Sequence, residues 1–222
     1  MTAMESGEAP PLIWHFDVIS PFSYLALPAV EALRRRVLFR PVLFGALLAH
    51  WGGLGPAEIG PKRLHTYRLC QFLAGRAGLP LRFPPRHPFR SLPVQRLIAA
   101  LGSDPAVVRT VFDFVWREGR DPGDTAELAV LAARLGVEDA EALVAARDAK
   151  ATLRAATAAA IALGVFGVPT LAVGRELFWG VDAMPLAEAY LADGRLFEDG
   201  EMARLASLPV GVSRRPTTTS TG

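Results

Sequence analysis

The chain has almost no thiol chemistry of its own: its 222 residues include one cysteine, Cys70. A single thiol excludes an intrachain disulfide and a Cys-x-x-Cys redox centre, and it fits a reducing compartment. Cys70 falls inside a helix-like run, Leu64–Ala77, and reads as a packing residue. Histidine is also sparse. His15, His50, His65 and His87 are scattered, with no pair at metal-ligand spacing on a helix face, so no metal site is expected. No basic run is long or clustered and the net charge is only +2, which leaves nucleic-acid binding without support. No apolar run reaches membrane-spanning length without charges, so no membrane association is expected. The segment Met1–Pro11 lacks the basic and apolar regions of a signal peptide, and the expected location is the cytoplasm.

Hydrophobic residues, by contrast, make up 51% of the chain, enough for a substantial core. Leu12–Phe16 reads as a buried strand, and Tyr24–Arg36 as a helix with Leu27, Val30 and Leu33 on one face. Pro28 is expected to kink that helix, and Arg34-Arg35-Arg36 to sit at its negative end. Val37–Phe44 reads as a second strand, with Pro41 favouring an edge position or a bulge. Strand, helix, strand implies a parallel pair joined by a right-handed crossover.

The middle of the chain has helical periodicity: Pro61–Ala77, Leu92–Leu101, Ala106–Glu118, Thr125–Leu135, Ala140–Ala146 and Ala149–Leu163. Gly102, Gly119, Gly136 and Gly164 stand where helices end, while Asp104-Pro105 and Asp121-Pro122 look like helix starts. Pro80–Pro93 is a proline-rich loop, held by Phe83 and Phe89. Strands return at Thr170–Val173 and Glu176–Phe178, joined tightly at Gly174-Arg175, and Met184–Leu191 reads as a final helix. Ser213–Gly222 is polar and is expected to be disordered.

Two short motifs carry the chemistry. Ser20-Pro21-Phe22-Ser23 lies at a strand-to-helix junction, with serine where a redox protein of this layout has each cysteine. Ser-Pro is also an ordinary helix start. Val168-Pro169-Thr170 precedes a strand. A cis bond there would leave the N–H and C=O of Val168 free to pair, strand-fashion, with an extended peptide; a plain helix-to-strand turn is the simpler reading. Together and in this order, the motifs match a thioredoxin layout.

With those two motifs, Phe16–Ala26, Gly55-Pro56-Ala57-Glu58, Pro61-Lys62-Arg63, Gly164–Thr170 and Leu177–Asp182 resemble the 2-hydroxychromene-2-carboxylate isomerases, relatives of kappa-class glutathione transferases. The likeness runs from about Leu12 to Leu208. It implies an α/β, thioredoxin-like fold with an all-helical insertion domain. Residues 11–45 and 164–208 would form the first, residues 46–163 the second, and residues 209–222 a disordered tail. It also implies glutathione as cofactor, Ser20 as the active-site serine, and Lys62, Val168 and Asp182 as glutathione-binding residues. The implied reaction interconverts a hydroxychromene carboxylate and an open-chain hydroxybenzylidene pyruvate through transient thiolate addition. A homodimer acting on a small aromatic carboxylate follows from the same likeness. Phe22, Tyr67 and Trp179 would suit the flat substrate, and Arg90 its charge. A glutathione transferase acting on other electrophiles, or a non-catalytic binder of thiol peptides, are the alternatives. Ala183 stands where relatives often carry arginine after the aspartate, and Gly52–Gly55 lacks an asparagine that kappa-class enzymes have.

Overall fold

A computed structural model describes residues 11–212. Four strands form one sheet in the order β2-β1-β3-β4. β1 (Leu12–Phe16) pairs in parallel with β2 (Val37–Pro41), from Leu12↔Val37 to Phe16↔Pro41. On its other side β1 runs antiparallel to β3 (Thr170–Val173), which pairs antiparallel with β4 (Glu176–Trp179). This is the thioredoxin-like arrangement, with the helices of the insertion between β2 and β3. Pro41 lies on an edge strand, where its missing N–H costs no ladder bond.

α1 (Pro21–Ala32) returns the chain from β1 to β2. It runs through Pro28 and ends at Ala32, so Arg34-Arg35-Arg36 lies beyond it and does not occupy its last turn. Leu33 is already extended, at ψ 128°, because the chain must reverse within a few residues to enter β2. β2 likewise stops at Pro41, and Phe44, expected in the strand, opens a helix instead: α2 (Phe44–Trp51). A 3₁₀ turn (Pro56–Glu58) leads to α3 (Gly60–Arg76).

The insertion continues with α4 (Leu92–Ala100), α5 (Pro105–Phe112), a π-helical segment (Asp113–Arg117), α6 (Thr125–Arg134), α7 (Ala140–Ala145) and α8 (Arg147–Leu163). Gly102, Gly119, Gly136 and Gly164 all take positive φ, the conformation that ends a helix cheaply only for glycine. Asp104 caps α5 as expected. Asp121 caps no helix: its buried carboxylate accepts from Gly123 N–H and from Arg86, and Asp124 caps α6 instead.

Both faces of the sheet are covered, since all four residues of β3 are buried, and an aromatic core lies on one of them. Leu12, Trp14 and Phe16 alternate inward and are fully buried. Trp14 stacks on Phe16 at 4.6 Å and meets Phe39 edge-on at 5.2 Å, and Phe112 of α5 packs on both. Each such ring contributes roughly 1.5–3 kcal/mol by burial. Gln95 of α4, also fully buried, donates to the carbonyls of Phe16 (3.1 Å) and Val42 (2.7 Å), tying the end of the parallel pair to the insertion.

The chain separates into two compact units, one ending at Met184 and the other beginning at Pro185. The second unit holds most of α9 (Met184–Ala192) and α10 (Gly200–Leu205), and within it Tyr190 stacks on Phe197 at 5.1 Å. Of the expected tail, residues 213–222 lie outside the described residues. Residues 209–212 form no helix or strand, with Val210 and Val212 83% and 92% exposed. No helix among the described residues is long and apolar enough to cross a membrane.

Candidate active site

Ser20 caps α1. It is buried, and its Oγ accepts weakly from Ser23 N–H at 3.4 Å. Pro21 at the first helical position has no N–H to satisfy, and no acidic side chain occupies the first turn. Among the described residues the Phe22 N–H takes no partner. The positive end of the helix dipole and one free donor therefore remain beside the Ser20 hydroxyl, a setting that favours an anion.

The loop ahead of Ser20 is held by residues far away in sequence. Asp17 C=O accepts from Ser20 N–H. The Asp17 carboxylate accepts from Ile19 N–H at 3.1 Å, Phe44 N–H at 3.0 Å and the Ser91 hydroxyl at 3.2 Å. Burial pushes this carboxyl up to about 6, against the pull of those three donors. The Trp116 indole donates to Val18 C=O at 2.8 Å, and His87 Nε2 donates to Ile19 C=O at 2.7 Å.

Opposite in sequence lies Gly167-Val168-Pro169-Thr170. The Val168–Pro169 bond is cis, as is His87–Pro88. Among the described residues neither the N–H nor the C=O of Val168 has a hydrogen-bond partner. Thr170 Oγ1 donates to Gly167 C=O at 2.8 Å and Gly180 N–H to Pro169 C=O at 2.9 Å. α2 joins this segment to the Asp17 loop. Its start is bound to Asp17, and its last residue, Trp51, donates to Val165 C=O at 3.0 Å. Below it, Val42, Leu47, Ala160, Val165 and Val168 form one buried cluster.

These elements enclose a cavity of about 550 Å³. Of the residues named from sequence, Ser20, Phe22, Lys62, Tyr67, Val168 and Trp179 line it. Lys62, in the first turn of α3, forms no ion pair among the described residues. Trp179 and Phe166 pack edge to face at 5.1 Å at the rim, 52% and 45% exposed. The indole lies against Gly167, where a Cβ would overlap its Nε1.

Two expected residues do not line the cavity. Asp182 is exposed in the turn after β4, its carboxylate folded back against Gly180, whose φ of +92° turns the chain. Arg90 follows Phe89, which is buried near Trp116, so the next side chain in the extended loop is exposed. The carboxylate that does line the cavity is Glu58, whose Oε1 also accepts from Gly55 N–H at 2.7 Å.

Sequence reasoning also missed His87 and all of α2, which supplies Phe44, Gly45 and Leu48 to the lining. The only signal for His87 was its place among the aromatic residues of the proline-rich loop. Cys70 is fully buried in α3, and burial pushes its thiol up to about 12, so it is an inert packing residue.

Comparison with known proteins gives a consistent answer. The model of the DsbA-like thioredoxin domain matches residues 12–192. A 2-hydroxychromene-2-carboxylate isomerase of Sphingobium xenophagum is 33% identical over 191 residues, covering 81% of this chain and 97% of the relative. One from Pseudomonas putida is 30% identical over 192 residues, covering 82% and 94%. A solved structure of a 2-hydroxychromene-2-carboxylate isomerase superposes with a TM-score of 0.71 at 27% identity, covering 90% of this chain and 99% of that one. Sheet order, inserted helices and relatives agree: the chain belongs to the DsbA-like thioredoxin proteins, and within them to the 2-hydroxychromene-2-carboxylate isomerase family.

Proposed function

We propose that this protein is a glutathione-dependent isomerase that interconverts 2-hydroxychromene-2-carboxylate, or a closely similar aromatic carboxylate, and its open-chain benzylidene pyruvate. The observation that carries the reading is one cavity in which a helix-capping hydroxyl, a free helix N–H and an unpaired strand-like peptide meet with no cysteine among the lining residues. Such a site suits a thiol brought from outside, held as a cysteinyl peptide.

The residues present fit glutathione. Val168 offers a donor and an acceptor to an extended peptide, and Lys62 offers a cation to a carboxylate. Ser20 Oγ–H and Phe22 N–H would hold a thiolate, lowering the pKa of the bound thiol from its ordinary ~8.5. When bound, glutathione supplies a nucleophilic sulfur that adds reversibly to a conjugated double bond. Ser20 acts as an anion-stabilising donor and not as a nucleophile, because among the described residues no base bonds its hydroxyl, which only accepts from the Ser23 backbone N–H. Phe22, Tyr67 and the Phe166–Trp179 rim would receive the flat substrate. The reading carries with it a cytoplasmic location, expected from the composition of Met1–Pro11, and a homodimer, expected from the family likeness.

Calorimetric titration with glutathione, paired with an assay on 2-hydroxychromene-2-carboxylate, tests it. Micromolar to millimolar binding and turnover that requires glutathione are expected; no association at millimolar tripeptide overturns the proposal. With a chlorodinitrobenzene as electrophile, a lasting conjugate would identify a transferase instead.

A further inference from the structure

His87 and Tyr67 face the same cavity as Ser20 and share a hydrogen-bond geometry that packing alone does not require. Tyr67 Oη lies 2.6 Å from His87 Nδ1 and 2.9 Å from the His87 carbonyl. His87 Nε2 lies 2.7 Å from Ile19 C=O. That carbonyl can only accept, so Nε2 carries a proton in every state. In the neutral imidazole Nδ1 is therefore bare, and the Tyr67 O–H donates to it. Once Nδ1 is protonated it donates to the Tyr67 oxygen, and the phenol proton turns to the His87 carbonyl. Both proton positions have a partner, so the pair takes up and returns a proton without losing a hydrogen bond.

The surroundings keep it charge-free at rest. Phe83 lies 4.5 Å from the Tyr67 ring, and Phe83, Trp116 and Phe89 stand 5.5–6.1 Å from His87. Burial lowers the His87 pKa, opposed by the bond to Ile19 and reinforced by Arg63. Burial raises that of Tyr67, with Arg63 opposing. Arg63 is thus the charge acting on both members, and Lys62 and Glu58 are the charged side chains that line the same cavity.

We propose that Tyr67 and His87 act as a catalytic proton-carrying pair that opens and closes the hemiketal ring of the substrate. The proposal takes the substrate from the isomerase reading but does not depend on glutathione. The 2-hydroxyl of the hydroxychromene gives its proton to the Tyr67 oxygen while the Tyr67 proton passes to His87 Nδ1. The C2–O1 bond then breaks, its electron pair leaving on the ring oxygen as the former hydroxyl oxygen closes the C2 carbonyl. Tyr67 protonates the departing phenolate oxygen and recovers its own proton from His87. One proton has moved between two substrate oxygens, and nothing is oxidised or reduced.

C2 of the closed form is a stereocentre that the open ketone lacks, so ring opening racemises it. The experiment follows a resolved enantiomer of 2-hydroxychromene-2-carboxylate without glutathione, using the whole protein and its Tyr67→Phe variant. The unaltered protein should accelerate racemisation above the spontaneous rate, and Tyr67→Phe should lose that acceleration by about 10²-fold while binding glutathione as before. His87→Gln, whose amide can still donate to Ile19, should lose it equally, which separates proton transfer from loop support. The acid limb of the rate, set by His87, should vanish in Tyr67→Phe. Ring ¹⁵N resonances of the free protein should show the Nε2–H tautomer at neutral pH. Equal racemisation by Tyr67→Phe, or a proton resident on Nδ1, overturns the proposal. Loss of racemisation in a protein that binds no glutathione sustains the pair and removes the glutathione reading alone.

Discussion

On one wall of the cavity, the loop Asp17–Ser20 takes hydrogen bonds from His87, Ser91 and Trp116, which lie 68, 74 and 98 residues from their partners. On the other wall, Thr170 donates to Gly167 three residues away, and Gly180 N–H closes onto Pro169 within the β3–β4 hairpin. The first wall takes its hydrogen bonds from the insertion; the turn of the second is closed by its own neighbours, with Trp51 of α2 reaching only Val165, ahead of the turn. A loop held from a distance can be perturbed by residues that never touch a ligand, whereas a locally closed turn changes only when its own residues do.

The comparison can be broken most sharply at Ser20. Ser20→Ala removes the side-chain donor of the first wall and should lower kcat by about 10²-fold, with glutathione affinity by calorimetry little changed. A rate equal to that of the unaltered protein would remove Ser20 from the chemistry.

The next effect lies in acid stability, and both groups belong to β1 and the loop it feeds. His15 is buried with neither ring nitrogen bonded among the described residues, and burial, aided by Arg40, brings its pKa down to about 4. Its contribution is present above the unfolded value near 6.5 and is lost as pH falls towards 4. Asp17, raised to about 6, works in the opposite sense: its contribution is present below the unfolded value of 3.8 and is lost as pH rises through 6. Each is worth about 3 kcal/mol by linkage, so they nearly cancel between pH 6.5 and 4. Thermal midpoints across that range should stay level in the unaltered protein, fall with acid in Asp17→Asn and rise in His15→Gln. Parallel curves for all three would show that these groups titrate normally.

A direct contrast of the walls comes from Trp116→Phe and Thr170→Val. The first leaves the Val18 carbonyl without its donor and should cost about 1–3 kcal/mol in urea unfolding, the second about 1 kcal/mol. Only the first should also reduce turnover, because it frees the loop that sets Ser20. The mildest change is Gly167→Ala, which displaces the Trp179 indole from the rim. With the indole already half exposed, stability should shift by under about 1 kcal/mol, and the substrate KM should rise a few-fold.

The same contrast explains what could be read from the sequence. Ser20-Pro21, Val168-Pro169 and the Gly174 turn are local signals, because capping, a proline junction and a tight hairpin involve neighbours only. The strands and most helices follow from periodicity, and the parallel β1–β2 pair from the crossover rule. The missed elements depend on distance. Phe44 starts a helix because its N–H reaches Asp17, and nothing in Val37–Phe44 reveals that. His87 enters the site through Ile19 and Tyr67, partners that only the folded insertion brings near. Asp182 is expected from the family likeness and Arg90 from its charge, and local geometry at Gly180 and at Phe89 keeps both out of the lining.

The half-exposed Phe166–Trp179 rim has a thermodynamic consequence. Two aromatic faces now wetted would be dried by any planar guest, and drying apolar surface lowers the heat capacity of the complex. The enthalpy of substrate capture should therefore grow more exothermic on warming, and that slope should shrink when either ring is trimmed away.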